Sequence, residues 1–198
     1  MNCIKRLLGI CGDTRLYTFV DNHDVERIYS KVNNKEHLYN IYILLYTLYG
    51  IPSIYYGSEF AIEGKKESGS DWNLRPCLEL DDFKDAYENN AITKLCIQLG
   101  KLKKDYTELS AGGYEELLLT NRQFAYSRNY NGKVIVIALN NDDNETELTI
   151  NPHVACNEAK IILDGSVEDK NESVDCRVEN GNVIVKLPAN YGTIIELS

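Results

Sequence analysis

In the first half of the chain, short apolar runs alternate with helical patterns. Leu16 to Val20 is rich in aromatic and branched residues and breaks off at the polar cluster Asp21, Asn22, His23 and Asp24, the pattern of a buried strand ending at a site. A helix is predicted next. From Lys35 onward Leu38, Ile41, Tyr42, Leu45 and Leu48 recur at three- and four-residue steps, and Gly50 and Pro52 supply stop signals. Ile51 to Tyr56 reads as a second buried strand closed by Gly57, Ser58 and Glu59, with Tyr55 and Tyr56 assigned to core packing and Glu59 to holding the loop that follows. Gly64 to Ser70 is polar and reads as loop. Ile92, Leu95, Cys96, Leu99 and Leu102 then mark a second amphipathic helix, started by Asn90 as its cap. This strand, helix, strand, loop, helix order is that of a parallel sheet, in which functional groups gather at the C-terminal ends of the strands. Asp24 and Glu59 both fall there.

The pattern changes near Ala111, Gly112 and Gly113, where the helical period gives way to short runs separated by Asn, Asp and Gly turns. The strands predicted are Gln123 to Arg128, Lys133 to Leu139, Glu145 to Ile150, Lys160 to Leu163, Ser173 to Val178, Asn182 to Leu187 and Tyr191 to Leu197. Asn131-Gly132 and Asn180-Gly181 are hairpin turns, because Asn-Gly tolerates the positive φ that two-residue turns require. The fold class is therefore α/β followed by all-β, with residues 1–111 forming the first part and residues 112–198 an antiparallel Greek-key β-sandwich.

Composition narrows the choice of partner. With 43% hydrophobic and 26% charged residues among 198, the chain has enough apolar material for one core or two small ones. Its net charge of −9 argues against nucleic acid and against an anionic membrane, which would be drawn to Lys/Arg clusters. No stretch approaches the roughly 20 apolar residues of a membrane helix, and the apolar patch from Leu7 to Cys11 is too short for a signal-peptide core. The six cysteines, Cys3, Cys11, Cys77, Cys96, Cys156 and Cys176, show neither CxxC nor metal-ligand spacing, so reduced thiols and a cytoplasmic setting are expected, with no metal and no cofactor. Fourteen Tyr against four Phe and one Trp suits surfaces that are both apolar and hydrogen-bonding, as sugar sites are.

Three segments carry a family resemblance. Phe19-Val20-Asp21-Asn22-His23-Asp24 resembles the signature that ends the seventh barrel strand in the α-amylase family of glycoside hydrolases. Gly50 to Glu59 resembles that family's eighth strand, and Asp71-Trp72-Asn73-Leu74-Arg75-Pro76 is similar to its post-strand loop, where an Asp and an Arg four residues on bind a sugar. The three occur in family-like order, followed by a helix and a sandwich. The resemblance implies that residues 1–111 are the last two βα units of a catalytic (β/α)8 barrel, that is, a partial barrel.

Residue by residue, the resemblance makes Asp24 the third catalytic carboxylate, which is neither nucleophile nor proton donor and favours the oxocarbenium-like transition state. It makes His23 the imidazole that hydrogen-bonds the same sugar, Asn22 its supporting neighbour, and Asp71 and Arg75 further substrate contacts. Arg27 is a common companion without an assigned role. Trp72 either stacks on a sugar or covers the loop, and both readings stay open. A retaining glycosidase needs a nucleophile and a general acid/base roughly 5 Å apart. The resemblance places these on the fourth and fifth barrel strands, upstream of Leu16, so the chain alone is expected not to cleave glycosidic bonds. The reading is thus a piece of a retaining enzyme acting on an α-glucan or maltooligosaccharide. The alternative is a noncatalytic protein that binds carbohydrate or another chain. Two βα units out of eight leave strand edges unpaired, so self-association or pairing with the remaining barrel is expected.

Overall fold

The computed structural model describes Ile10, residues 14–164 and residues 174–198; Cys3, Leu7 to Gly9, Cys11 and Ser173 lie outside the described residues. Strand β1 (Tyr17–Thr18) lies parallel to β2 (Ile51–Pro52), with Tyr17 opposite Ile51 and Thr18 opposite Pro52. Backbone bonds from Ile51 N to Leu16 O (2.7 Å) and from Ser53 N to Thr18 O (2.8 Å) fix that register. Helices α1 (Ile28–Lys31) and α2 (His37–Thr47) form the crossover between the two strands. After β2 the chain runs through 3-10 turns at Ser58–Phe60, Trp72–Leu74 and Leu80–Phe83 into α3 (Ala86–Asn89), α4 (Ala91–Asp105) and α5 (Thr107–Ala111). Asn90 caps α4, its side chain accepting from Thr93 N at 3.0 Å.

Eight strands follow: β3 (Gly113–Leu119), β4 (Gln123–Tyr130), β5 (Lys133–Asn140), β6 (Thr146–Ile150), β7 (Ala159–Asp164), β8 (Asp175–Glu179), β9 (Asn182–Leu187) and β10 (Tyr191–Leu197). They form a five-stranded antiparallel sheet in the order β3-β4-β5-β10-β7 and a three-stranded one in the order β6-β9-β8. The two Asn-Gly turns have Asn131 at φ 50°, Gly132 at 82°, Asn180 at 51° and Gly181 at 75°, all in the left-handed region their hairpins need.

The larger sheet is buried on both faces. Val134, Val136 and Ala138 point to the smaller sheet, where they pack with Leu148, Ile150, Val183, Val185 and Leu187. Ile135, Ile137 and Leu139 point the other way, onto Leu38, Tyr42, Ile43, Leu95 and Leu99 of α2 and α4. Period-2 alternation in side-chain direction therefore yields a continuous apolar run in β5, since neither face is wet. The result is a layer of helices, a five-stranded sheet and a three-stranded sheet. Polar ties cross the first interface. Buried Arg128 of β4 donates to Thr47 O (2.5 Å), Gly112 O (2.6 Å) and Gly113 O (3.1 Å), closing the carbonyl ends of α2 and α5. Asn40 donates to Asn140 O at 3.0 Å, and Thr47 Oγ1 meets the Tyr126 hydroxyl at 2.6 Å.

Three features differ from the sequence reading. The expected strands Leu16 to Val20 and Ile51 to Tyr56 shrink to two-residue strands, and they are not buried: Tyr17 is 67% exposed and Ile51 51%. A parallel strand hides its side chains only when both neighbours and both covering layers are present. Strand β3 was not anticipated, because Gly113, Glu115 and Glu116 break its apolar run. Tyr55 and Tyr56 are not core residues, and their position belongs to the site.

Candidate active site

Buried Asp21 (1% exposed) organises the loop after β1. Its Oδ2 accepts from Ile28 N at 2.8 Å, satisfying an amide in the first turn of α1, and its carboxylate accepts from the Ser58 hydroxyl at 2.8 and 2.9 Å. Ser58 accepts in turn from Arg27 Nη1 at 3.2 Å, and the same nitrogen donates to Tyr56 O at 2.7 Å. A buried anion and a buried cation are thus joined through one hydroxyl at the ends of the two parallel strands. The Arg27 guanidinium carbon lies 4.1 Å from the centroid of the Tyr55 ring and 5.0 Å from that of Tyr56, so both rings serve as its cation–π walls rather than as core filling. Gly64 lets the next loop lie directly over this arginine: Arg27 N donates to Gly64 O at 2.9 Å, and a Cβ at Gly64 would come within 2.6 Å of Arg27 Cγ. Glu59 joins the same region to α4, its backbone carbonyl accepting from Thr93 Oγ1 at 2.8 Å.

On this buried frame the turn Asn22 to Asp24 faces solvent. Asn22 Oδ1 accepts from Asp24 N at 2.8 Å, so the asparagine shapes the turn that presents the carboxylate. Asp24 Oδ2 is 3.2 Å from His23 Nε2, and its Oδ1 is 3.2 Å from Arg75 Nη2. Arg75 also donates from Nε to His23 O (3.2 Å) and from Nη2 to Asp71 Oδ2 (3.4 Å). One guanidinium therefore draws together the Asp24 and Asp71 carboxylates and the His23 backbone carbonyl. Each of these residues remains open to a ligand, with side-chain exposures of 56% for His23, 60% for Asp24, 46% for Arg75 and 37% for Asp71.

Lys66, which sequence reasoning passed over as part of a polar loop, completes the group. Its Nζ donates to Asp24 O at 2.8 Å and lies 3.8 Å from Asp71 Oδ1. Two cations thus flank two carboxylates on an open surface, an arrangement that offers both donors and acceptors to a neutral, polyhydroxylated ligand. Among the described residues, no group of three or more His, Cys, Asp or Glu is placed to hold a metal ion. None of their helices is long and apolar enough to cross a membrane.

The parallel β1–α2–β2 unit with its polar strand ends, backed by the antiparallel sheets, defines a partial (β/α) barrel followed by a β-sandwich. Comparison with known proteins agrees. A profile of the alpha-amylase catalytic domain matches residues 3–108. The cyclomaltodextrinase of Thermoanaerobacter pseudethanolicus is 28% identical over 137 residues, which cover 69% of this chain and 23% of that protein. A cyclomaltodextrin glucanotransferase of Bacillus sp. (strain 17-1) is 30% identical over 127 residues, 64% of this chain and 16% of that one. The chain therefore spans about a quarter or less of the curated relatives it matches. Among solved structures, an Anoxybacillus alpha-amylase superposes with a TM-score of 0.74 at 26% identity, covering 100% of this chain and 41% of that one. The cyclomaltodextrin glucanotransferase CldA gives a TM-score of 0.80 at 24% identity over 98% of this chain and 39% of that one, a likeness of fold. The chain belongs to the α-amylase family of glycoside hydrolases.

Proposed function

We propose that the chain supplies the seventh and eighth strand ends of a retaining, α-glucan-acting active site. In this reading residues 1–111 belong to the catalytic barrel and residues 112–198 are the C-terminal sandwich. Asp24 is the carboxylate that stabilises positive charge developing on the sugar ring, acting from 60% exposure at the end of β1. His23, Asp71 and Arg75 bind sugar hydroxyls, and Asn22 holds the turn. The nucleophile and the general acid/base come from barrel segments upstream, where the two carboxyl groups can be set roughly 5 Å apart. The observation that carries the reading is Arg75, which reaches Asp24, Asp71 and the His23 carbonyl together.

The names of the relatives support cyclic or linear α-glucans as the ligand class. The free thiols Cys77, Cys96, Cys156 and Cys176 support a reducing, cytoplasmic setting. Exposed Tyr17, Phe19 and Ile51 beside the β1–β2 pair support contact with further barrel strands or with a second copy.

The test is reconstitution. The chain is mixed with a separately produced polypeptide carrying the six upstream βα units, and release of reducing ends from maltooligosaccharide is followed. Cleavage that needs both polypeptides, and is lost with Asp24→Asn, supports the proposal. Cleavage by the chain alone, or by the mixture regardless of Asp24, contradicts it.

A further inference from the structure

We propose that Trp72 is the platform on which a glucosyl ring stacks, making it a specificity-determining residue of this site; the inference rests on the glucan reading above and adds a residue to it. Trp72 is 82% exposed, the most exposed large hydrophobic side chain among the described residues. A lone apolar side chain on a surface needs no special account. What distinguishes this one is the turn that bears it. Trp72–Leu74 is a 3-10 turn flanked directly by Asp71 at its start and Arg75 at its end. Backbone bonds from Leu74 N to Asp71 O and from Arg75 N to Trp72 O, both 3.0 Å, hold the turn closed. Leu74, fully buried, anchors it from below. Trp72 directly follows Asp71 and precedes Arg75 by three positions, so the exposed indole is borne by the same short turn as the Asp71–Arg75 pair.

A pyranose presents two unlike surfaces, a flat carbon–hydrogen face and a rim of hydroxyls. The indole is a broad apolar face with a single N–H donor, suited to the first. Asp71 and Arg75, paired at 3.4 Å and both solvent-accessible, suit the second. On the far side of Arg75 the Tyr56 hydroxyl donates to Pro76 O at 2.9 Å, so the segment that follows the turn is held as well. A hydrogen-bonded turn that carries an exposed aromatic plane together with an acceptor and a donor fork suits both surfaces of one ring. An extended loop with the same composition would lose that gain to ordering.

The chain contains one tryptophan, so its indole emission reports on Trp72 alone. Maltoheptaose is titrated into the chain, with calorimetry measuring binding and emission measuring the indole, and the titration is repeated on Trp72→Ala and Trp72→Phe. The expected result is a calorimetric isotherm matched by a saturable shift in emission. Trp72→Phe then stays within about threefold of the parent, Trp72→Ala loses about tenfold or more, and all three share one melting temperature, since an exposed ring supports little of the fold. Calorimetric binding with silent emission, or with Trp72→Ala at parental affinity, overturns the assignment of Trp72 and leaves the Asp24–Arg75 site standing. Absence of calorimetric binding by the parent refutes the glucan site itself, and this assignment with it.

Discussion

The Arg75 guanidinium and the Asp24 carboxylate, 51 positions apart in sequence, meet at 3.2 Å on the open end of the β1–β2 pair. Both side chains are about half exposed, and ion pairs of that kind contribute only about 0–1 kcal/mol to stability. The pair therefore contributes little to holding the fold. Arg75→Ala should leave the urea-unfolding midpoint nearly unchanged and weaken maltoheptaose binding by about tenfold or more. Arg75→Lys should restore little of it, because an ammonium cannot reproduce the planar fork that serves the His23 carbonyl and two carboxylates together. A calorimetric titration of each variant beside its unfolding curve gives both readouts.

Asp21 behaves in the opposite way. It is buried, and removing it strands the Ile28 amide, the Ser58 hydroxyl and, through Ser58, the Arg27 cation. Asp21→Ala should cost about 3 kcal/mol of stability, the range for breaking a buried charged network. Urea denaturation of the parent and the variant measures the difference.

Lys103 gives the chain a pH signature. Burial, with repulsion from Arg128 and Arg15 behind it, pushes the ammonium down from 10.5 to about 8. The folded chain then sheds this proton near pH 8 while the unfolded chain keeps it up to 10.5. Between those values the unfolded state binds more protons, so this group's contribution makes stability rise with pH. The window closes near pH 10, where tyrosines of the unfolded chain ionise while Tyr42 and Tyr126, held up by burial, do not. Urea midpoints at pH 7 and pH 9 should therefore move in favour of the parent relative to Lys103→Met.

Exposed Tyr17, Phe19 and Ile51 beside the short parallel strands lead to an expectation about assembly. Light scattering behind size exclusion should find the purified chain self-associating in a concentration-dependent way. Tyr17→Lys combined with Ile51→Lys, charges placed on both strands, should shift it toward monomer. A concentration-independent monomer would contradict the expectation.

Much of this was legible in the sequence, for identifiable reasons. Helix α4 announced itself by period and by Asn90, because it buries one stripe, and α2 by its recurring apolar positions, although it is covered on every side. The hairpins were legible because Asn131 and Asn180 are followed by glycine where left-handed backbone is needed. Asp24, His23, Asp71 and Arg75 were marked by the family resemblance, and the structure sets the Asp24 and Asp71 carboxylates and the His23 carbonyl within reach of the Arg75 guanidinium. What escaped depends on tertiary proximity. Lys66 is one of two adjacent lysines in a polar stretch until the loop folds its ammonium onto the Asp24 carbonyl. Arg27 looks like an exposed helix-start cation until Tyr55, Tyr56 and the Gly64 backbone close over it. Strand β3 carries two glutamates and a glycine at its start, so its apolar residues come too late to set a period.

A glucan bound at this site is expected to lie against Asp24 and its guanidinium partner. Amide chemical-shift mapping on the isotopically labelled chain during a maltoheptaose titration tests it most directly. Saturable shifts are expected at His23, Asp24, Asp71, Trp72 and Arg75, with the sandwich residues unmoved. Shifts confined elsewhere, for example to the groove between α2 and β4 lined by Asn40, Leu44, Arg122 and Phe124, would contradict it.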